Sequence, residues 1–365
     1  MAHRHDICRG ALSDSVKLVI PVQDFRLDGA GMPAVDRTES SLLRRVQSGA
    51  VCAVVLTLAA TSLAAAARWS WLGDLAVHFR LQYAGVALLA LIGLAWARSW
   101  VWAGAALLAL VINGAAAGPA LGSRWLAPDV AVAIEPAPAS SLRACAINVL
   151  YSNTHYERVA SFLHTARPDV AVLVEITPVW RAALTGLGSE FPNQYYAAGS
   201  LSRAGSSAQR GVLLLSRWPI ERVATWKLGP HTEPAVIATL NVRGRALQLI
   251  GVHAAWPLGS GIQAERNRQL GELATIARST PPPLVVLGDL NVTPFSPYFE
   301  ALLSSTGLRS AAQGEGWQPT WPTFLPPAGI QIDHALVSAG LPVLRFRRGP
   351  GVGSDHRPIL VDLAF

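Results

Sequence analysis

The sequence predicts an α/β protein: a four-layer α/β sandwich of two packed mixed β-sheets flanked by helices, preceded by transmembrane helices. Three long apolar segments without charge precede residue 124, and alternating strand and helix patterns follow residue 142. Several of these strands are joined by tight turns rather than by helices, which is typical of mixed sheets. The expected regions are a disordered cytoplasmic tail over 1–47, three transmembrane helices over 48–123, a linker over 124–141 and a globular domain over 142–365.

Composition agrees with this division. Of the 365 residues, 51% are hydrophobic and only 15% are charged, a balance too apolar for an ordinary soluble domain. The net charge of +7 suits an anionic partner, but no dense Lys/Arg run indicates a dedicated DNA-binding tail. Cys8, Cys52 and Cys145 are too far apart in sequence to predict a disulfide framework or a zinc site.

The apolar segments have the length of membrane spans. Residues 48–67 and 99–123 carry no charge, and 81–97 is a shorter segment of the same kind. Arginines before the first segment favour an N-terminus on the cytoplasmic side, and three spans would then place the globular domain outside the cytoplasm. The run Leu-Ala-Ala-Ala-Ala at 63–67 resembles a signal-peptidase site, so cleavage of the first segment stays open.

Strand and helix patterns follow one another through the globular domain. A helix over 156–166 presents Val159, Phe162 and Leu163 on one face, and Pro168 ends it. Arg243-Gly244 predicts a hairpin turn, and Ser296-Pro297 predicts a helix start. The other predicted elements are a helix over 262–278 and strands over 144–150, 170–174, 212–215, 236–242, 246–253, 332–337 and 359–363, with one more strand directly after the prolines at 281–283.

Polar residues stand where the predicted strands begin or end. Asp289 follows the strand after the prolines, and Asn291 would point the same way if the backbone stays extended. The others are Asn148, Glu175, His253, Asp333, Asp355 and His356. Taken singly, each has a structural explanation, because Asp and Asn begin turns and a lone histidine is usually a satisfied core residue. Strand ends on one side of a sheet converge, so these residues could meet at one rim.

Six motifs carry a resemblance to a known family. They are Ala146-Ile147-Asn148, Val174-Glu175, Gly251-Val252-His253, Gly288-Asp289-Leu290-Asn291, Ile332-Asp333-His334 and Gly353-Ser354-Asp355-His356. In order and spacing they resemble the endonuclease/exonuclease/phosphatase superfamily, which has the deoxyribonuclease I-like fold. The resemblance covers about residues 142–365. The membrane-anchored layout is also similar to a bacterial subgroup, which implies a bacterial inner membrane with the globular domain extracytoplasmic.

The resemblance implies roles for the polar residues. Glu175 and Asp355 would ligate a metal ion, with Asn148 contacting metal or phosphate, and oxygen ligands favour Mg²⁺ or Mn²⁺ over Zn²⁺. Asp289 and Asn291 would align the attacking water and hold the phosphate.

Two histidines complete the expected site. His356 would act as general base or transition-state donor, oriented by Asp333. His253 would donate a hydrogen bond to the phosphate or a proton to the leaving group. Deoxyribonuclease-like members carry a glutamate before the mid-domain strand as partner of this first histidine. Here Gln209-Arg210 stand there, so the sequence shows no partner for His253.

The resulting hypothesis is a membrane-anchored, nuclease-like phosphodiesterase. A nuclease would use Arg203, Arg210, Arg266 or Arg268 to grip the substrate backbone, giving a steep salt dependence. A phospholipase- or sphingomyelinase-like hydrolase of lipid headgroups is the alternative, since peripheral loops choose the substrate. A non-catalytic membrane-linked binding module would lack a metal carboxylate or a histidine, and none is missing. The lipid bilayer is an expected partner, and no protein partner is evident.

Overall fold

The computed structural model describes residues 34–122, 141–199, 209–229 and 233–365, with side chains from residue 41 onward. Most of the predicted tail and linker therefore lies outside the described residues. The helices are α1 (Ala34–Ala65), α2 (Trp71–Val77), α3 (Arg80–Trp96), α4 (Trp100–Leu121), α5 (Tyr156–Ala166), α6 (Pro178–Ala183), α7 (Ser260–Ser279) and α8 (Pro297–Thr306). The strands are β1 (Ser141–Asn148), β2 (Val170–Ile176), β3 (Asn193–Ala198), β4 (Gly211–Ser216), β5 (Ile220–Trp226), β6 (Ala235–Val242), β7 (Arg245–His253), β8 (Leu284–Asp289), β9 (Arg309–Ser310), β10 (Asp333–Val337), β11 (Val343–Arg348) and β12 (Ile359–Ala364).

The strands form two six-stranded sheets. The first sheet has the order β11-β12-β1-β2-β4-β3, and the second has the order β5-β6-β7-β8-β10-β9. The pairs β1·β2 and β7·β8 are parallel, and the other described pairs are antiparallel. Both sheets are therefore mixed, as the hairpin-linked strand pattern predicts.

Three apolar layers hold the sandwich together. The central layer lies between the sheets and contains side chains such as Val172, Leu249 and Val361. A second layer packs α5 and the region of α6 against the outer face of the first sheet. A third layer packs α7 and α8 against the outer face of the second sheet. This four-layer arrangement confirms the predicted fold class.

Helices α1 to α4 form the apolar N-terminal region. Within the described residues, two helices are long and apolar enough to cross a membrane, 41–65 of α1 and Trp100–Leu121 of α4. The pair α2–α3 passes the same test but is bent by 66°, so the predicted second span at 81–97 falls on the longer arm of a bent pair. Helix α1 begins at Ala34, so residues 34–47, which the sequence assigns to a disordered tail, are helical. The remaining region boundaries stay predictions.

The N-terminal helices contact the globular domain from one end of their bundle. Trp71 at the start of α2 donates its indole N–H to the carbonyl of Pro257 (2.9 Å), and Gln82 in α3 donates to the carbonyl of Gly329 (2.8 Å). At the end of α4, a Cβ on Gly122 would lie 2.8 Å from the Cα of Gly314. The segment that connects α1 to α3 is thus packed against the domain that carries the polar strand ends.

Candidate functional site

The predicted polar residues meet at one rim because of the register of five strands. In the second sheet, Asp289 on β8 is the direct neighbour of His253 on β7 and of Asp333 on β10. In the first sheet, the parallel strands β1 and β2 end side by side and carry Asn148 and Glu175. All five residues are at least partly withdrawn from solvent, with Asp289 and Asp333 each 1% exposed. The two sheets therefore bring their polar ends to one place.

Asn148 joins the two sheets across this rim. Its side-chain amide donates to Oε1 of Glu175 (3.1 Å) and to Oδ2 of Asp289 (3.1 Å). Its own Oδ1 accepts the backbone N–H of Leu150 (3.0 Å). A neutral amide between two carboxylates lowers their repulsion and holds them at a fixed separation.

Glu175 is aimed into the site by a break in strand pairing. The register between β2 and β4 shifts between Leu173 and Ile176, and Glu175 has a φ of 62°. A bulge of this kind re-aims one side chain next to a functional site. Its Oε2 accepts the backbone N–H of Tyr151 (3.0 Å). Burial acts to raise its pKa, but His253, this N–H and Arg210 together hold the pKa of Glu175 below its ordinary value, so the side chain is ionised.

His253 has a carboxylate partner, which corrects the expectation from the sequence. Glu233, just before β6, places Oε1 3.3 Å from His253 Nδ1, and its Oε2 accepts the backbone N–H of Glu175 (3.1 Å). His253 Nε2 lies 3.7 Å from Asp289 Oδ2. Burial alone would lower the pKa of His253, but Glu233, Asp289 and Glu175 outweigh it and raise this pKa to about 9. The residues before β4, Gln209 and Arg210, do not supply this partner, because it comes from the residues before β6.

His356 is bracketed by two aspartates. Its Nδ1 is 2.9 Å from Asp333 Oδ2, the pairing that the sequence predicts, and its Nε2 is 3.7 Å from Asp289 Oδ2. Burial would lower the pKa of His356, but Asp333 and Asp289 raise it to about 10. At neutral pH the ring is therefore an imidazolium with Nε2–H directed at Asp289. This charge state suits a hydrogen-bond donor better than a general base.

Asp289 lies at the centre of these contacts. Burial and the neighbouring Asp333 raise its pKa, and His356 and His253 offset part of that rise, leaving it at about 6. The preceding Gly288 has a φ of 144°, and a Cβ there would lie 1.8 Å from the carbonyl oxygen of Val252. Only glycine allows β8 to pair this closely with β7 directly before the carboxylate.

Asn291 differs from its predicted orientation. The backbone does not stay extended, because Asn291 has a φ of 48°. Its N–H donates to Asp289 Oδ1 (2.9 Å), and its side-chain amide donates to the carbonyl of Ala254 (2.9 Å). The residue thus ties the end of β8 to the end of β7 and orients Asp289.

Asp355 contacts Trp321 and Ser354, and its expected role as a metal ligand stays a prediction. Its Oδ2 accepts the indole N–H of Trp321 (2.9 Å), and Ser354 Oγ lies 3.5 Å from its Oδ1. Ser354 in turn donates to the backbone carbonyl of Asn148 (2.7 Å), which fixes this loop against β1. Asp355 therefore lies at the rim. Glu175 lies closer to Asn148, which also contacts Asp289.

The donor chemistry of the rim fits a divalent cation. Among the described residues, Asp289, Asp333 and His356 form a group that could hold a metal ion. Each offers one ligand atom, and these atoms lie within 4.8 Å of one another. Within this group His356 Nδ1 lies 2.9 Å from Asp333 Oδ2, so these two side chains pair with each other. Glu175 and Asp289 also offer carboxylate oxygen atoms, which hard cations prefer, and the Asn148 amide NH2 lies between them. The rim also contains more carboxylates than cationic side chains. Its carboxylates are Glu175, Glu233, Asp289, Asp333 and Asp355.

The four arginines that the sequence suggests for substrate binding differ in position and in partners. Arg210 lies at the site, with Nη1 3.7 Å from Glu175 Oε2 and its guanidinium over the Tyr151 ring. Arg266 is fully buried and ion-paired with Asp74, so it cannot touch a nucleic acid backbone. Arg268 is paired with two glutamates of its own helix, and Arg203 lies outside the described residues.

Comparisons with known proteins identify the family and the fold. A family model described as the Endonuclease/Exonuclease/phosphatase family matches residues 145–356. A solved structure of humanized D. rerio TDP2 has a TM-score of 0.50 at 18% identity, covering 62% of this chain and 99% of that one. Proteins of the same family from Beutenbergia cavernae (TM-score 0.52, 18% identity, 61% and 71% covered) and Bacteroides vulgatus (0.51, 17%, 61% and 98%) are also similar in fold. Comparison with curated protein sequences found no match.

Proposed function

Because the chain belongs to the endonuclease/exonuclease/phosphatase family, whose members hydrolyse phosphoester bonds and depend on divalent metal ions, we propose that it is a membrane-anchored phosphodiesterase that uses Mg²⁺ or Mn²⁺. The proposal rests chiefly on one observation: Asp289 Oδ2 lies within 3.7 Å of both His253 Nε2 and His356 Nε2 and within 3.1 Å of the Asn148 amide. A carboxylate between two cationic donors can position a water beside a phosphoryl group that both donors contact.

Each residue then has a task in phosphodiester hydrolysis. Asp289, with its pKa raised to about 6, accepts the proton of the attacking water. The imidazolium of His356 donates a hydrogen bond to a non-bridging phosphate oxygen, where charge develops in the transition state. The imidazolium of His253 protonates the leaving oxygen. Asn291 keeps Asp289 in place.

The cation would be held by Glu175 with Asn148, and Asp355 completes the set that the family resemblance implies. When bound, it supplies a Lewis acid that withdraws charge from the phosphoryl oxygens. Arg210 adds a fixed positive charge next to Glu175 and so supports binding of the anionic substrate. The oxygen-only donors favour Mg²⁺ or Mn²⁺.

The N-terminal region would anchor this domain in a bacterial inner membrane. With α1, the bent α2–α3 pair and α4 as three spans, a cytoplasmic N-terminus places the globular domain outside the cytoplasm. A C-terminal alkaline phosphatase fusion should then be active in cells, because that reporter folds only after export. An inactive fusion, despite normal expression, would contradict the orientation.

The activity is tested directly with the full-length chain in detergent micelles and bis-p-nitrophenyl phosphate as substrate. Turnover is expected with Mg²⁺ or Mn²⁺, loss of turnover with EDTA, and its return when the metal is added back. Asp289→Ala and His356→Ala serve as inactive controls. A folded wild-type chain that shows no turnover with any divalent metal would instead favour the binding-module alternative.

A lipid phosphodiester is the second candidate substrate, and an exposed apolar surface favours it. Trp256, Leu258 and Ile262, in the loop after His253 and the start of α7, are 57%, 46% and 48% exposed. The Trp71 indole contacts this same loop at Pro257, so the surface adjoins the membrane helices. Parallel assays on plasmid DNA, RNA and sphingomyelin vesicles would separate the candidates. Hydrolysis of the vesicles alone would set aside the nuclease.

The partner of His253 predicts a shift in pH dependence. Glu233 helps to raise the pKa of His253 to about 9, and an imidazolium is needed at the leaving oxygen. Glu233→Gln removes that charge, lowers the pKa and should move the alkaline limb of the kcat profile to lower pH. The measurement is kcat against pH for both proteins. Glu190→Gln, beside the exposed His164, is the matched control, and an unshifted limb in Glu233→Gln would mean that His253 is not the titrating donor.

A further inference from the structure

A buried arginine donates a hydrogen bond to the backbone of Asn291. Arg266 on α7 is fully buried, and its Nη1 donates to the Asn291 carbonyl (2.8 Å). Its Nε donates to the side chain of Asn267 (2.8 Å). Arg266 therefore contacts the segment 289–296, which begins at the last residue of β8 and contains Asp289 and Asn291.

The charge of Arg266 is balanced by the N-terminal region rather than by the globular domain. Its Nη2 is paired with Oδ2 of Asp74, on the short helix α2. Asp74 is fully buried as well, and its Oδ1 lies 3.4 Å from Ser296 Oγ, at the far end of segment 289–296. A buried guanidinium depends strongly on such a partner, because an unpaired charge inside a protein is costly.

The same connector makes a second contact with this segment. His78, directly after α2, places Nδ1 3.0 Å from Thr293 Oγ1, and the Thr293 backbone N–H is directed at the same nitrogen (3.4 Å). Both side chains are buried. The connector between α1 and α3 thus touches segment 289–296 at Thr293 and Ser296, and through Arg266 at Asn291.

The segment needs support because its conformation is strained. Asn291 has a φ of 48°, in the left-handed region, which few non-glycine residues adopt and which asparagine adopts more readily than most. Strained residues of this kind persist where surrounding contacts over-determine them. Asn291 contacts Asp289 through its N–H, Ala254 through its side chain and Arg266 through its carbonyl. Of these contacts, the one to Arg266 depends on a residue of the N-terminal region.

We propose that Asp74 is a positioning residue for the active site: through Arg266 it holds the Asn291 backbone and thereby the orientation of Asp289. The inference rests on the proposed phosphodiesterase activity. It makes the α1–α3 connector part of the catalytic apparatus in addition to its place in the membrane anchor. The globular domain alone, residues 142–365, would retain Arg266 as a buried charge without Asp74.

The test compares variants of the full-length chain in detergent micelles. Asp74→Asn should lower kcat for bis-p-nitrophenyl phosphate by up to about 100-fold, the order expected when catalytic groups are displaced by a remote change. The KM should change little, because Asp74 touches no substrate. Amide hydrogen exchange in segment 289–296, followed by mass spectrometry, should become faster.

The matched control is Asn113→Ala in α4. Asn113 is a buried polar residue of the same helical region, held by Arg80 (3.1 Å) and Thr61 (2.8 Å), and its hydrogen bonds do not reach segment 289–296. This variant should lose thermal stability while keeping its kcat and its exchange pattern in 289–296. An equal fall of kcat in Asn113→Ala would overturn the inference, since the effect would then reflect general destabilisation.

A double variant separates positioning from folding. Asp74→Leu combined with Arg266→Met removes both charges and the donor to Asn291, so the melting temperature should recover relative to Asp74→Asn while kcat stays low. Recovery of kcat together with stability would overturn the inference, as would an unchanged exchange rate in Asp74→Asn. If the wild-type chain hydrolyses no phosphodiester, the proposed function fails, and the exchange comparison still decides whether Asp74 holds segment 289–296.

Discussion

Replacing His356 with Gln in the full-length chain is expected to lower kcat by about 1,000-fold, within the range that a positioned acid–base group contributes. Glutamine keeps much of the volume and can still contact Asp333. It cannot carry the positive charge that His356 holds between Asp333 and Asp289, with its pKa raised to about 10. The transition state would therefore lose a charged donor, whereas the ground-state complex would lose less. The measurement is kcat and KM for bis-p-nitrophenyl phosphate at saturating Mg²⁺.

His164→Gln is the matched control for this prediction. His164 is an exposed histidine paired with Glu190 (3.0 Å), so it has a similar carboxylate partner at a site remote from Asp289 in the fold. Its replacement should leave kcat unchanged. If His356→Gln retained most of the wild-type kcat while remaining folded, the donor role of His356 would be wrong.

Replacing Glu175 with Gln is expected to raise the Mg²⁺ concentration at half-maximal rate by about 100-fold or more, since even residues behind a metal ligand affect affinity by 10–100-fold. Glu175 is the ionised carboxylate that the bulge of β2 turns toward Asn148 and Asp289. The amide of glutamine keeps the size and one oxygen, but it removes the negative charge that attracts a divalent ion. The measurement is the rate as a function of metal concentration.

Two further variants sharpen the result for Glu175. Glu221→Gln removes an exposed carboxylate whose partner is Asn241 and should leave the metal dependence unchanged. Asp355→Asn addresses the other carboxylate that the family resemblance assigns to the metal. Because Asp355 already accepts the Trp321 indole N–H, a smaller rise is expected there. A larger effect from Asp355→Asn than from Glu175→Gln would reverse the assignment of the principal ligand.

Local sequence patterns were sufficient for much of the fold. The β-branched runs after Pro168 and after the prolines at 281–283 are the buried strands β2 and β8, because a short apolar run rich in valine is typical of a strand that is buried on both faces. Ser296 caps α8 with its side chain on Tyr298 N–H, as the Ser-Pro signal predicts. Helix α1 was extended by charged residues at 34–47 that apolar pattern alone would not include.

The candidate site was only partly accessible to the same reasoning. Motif resemblance identified Asn148, Glu175, His253, Asp289, Asp333 and His356. Strand register brings the first five to one rim, and His356 joins them through its contact with Asp333. Glu233 was missed because its role depends on how β6 lies beside β7, a contact between segments without a shared motif. The orientation of Asn291 was missed because asparagine occurs both in extended and in left-handed backbone, so its residue type alone does not decide between them.

The sequence by itself determined which segments are apolar and most of the buried strands, because burial preferences belong to each side chain and its near neighbours. It did not predict β3, β5, β9 and β11, and the chemical roles of the polar residues stay predictions. Only the tertiary structure decided the charge state of the histidines, the aim of Glu175 and the support of Arg266 by Asp74, a residue 192 positions away. These properties depend on distances between atoms of remote segments, and electrostatic energies change steeply with distance and burial.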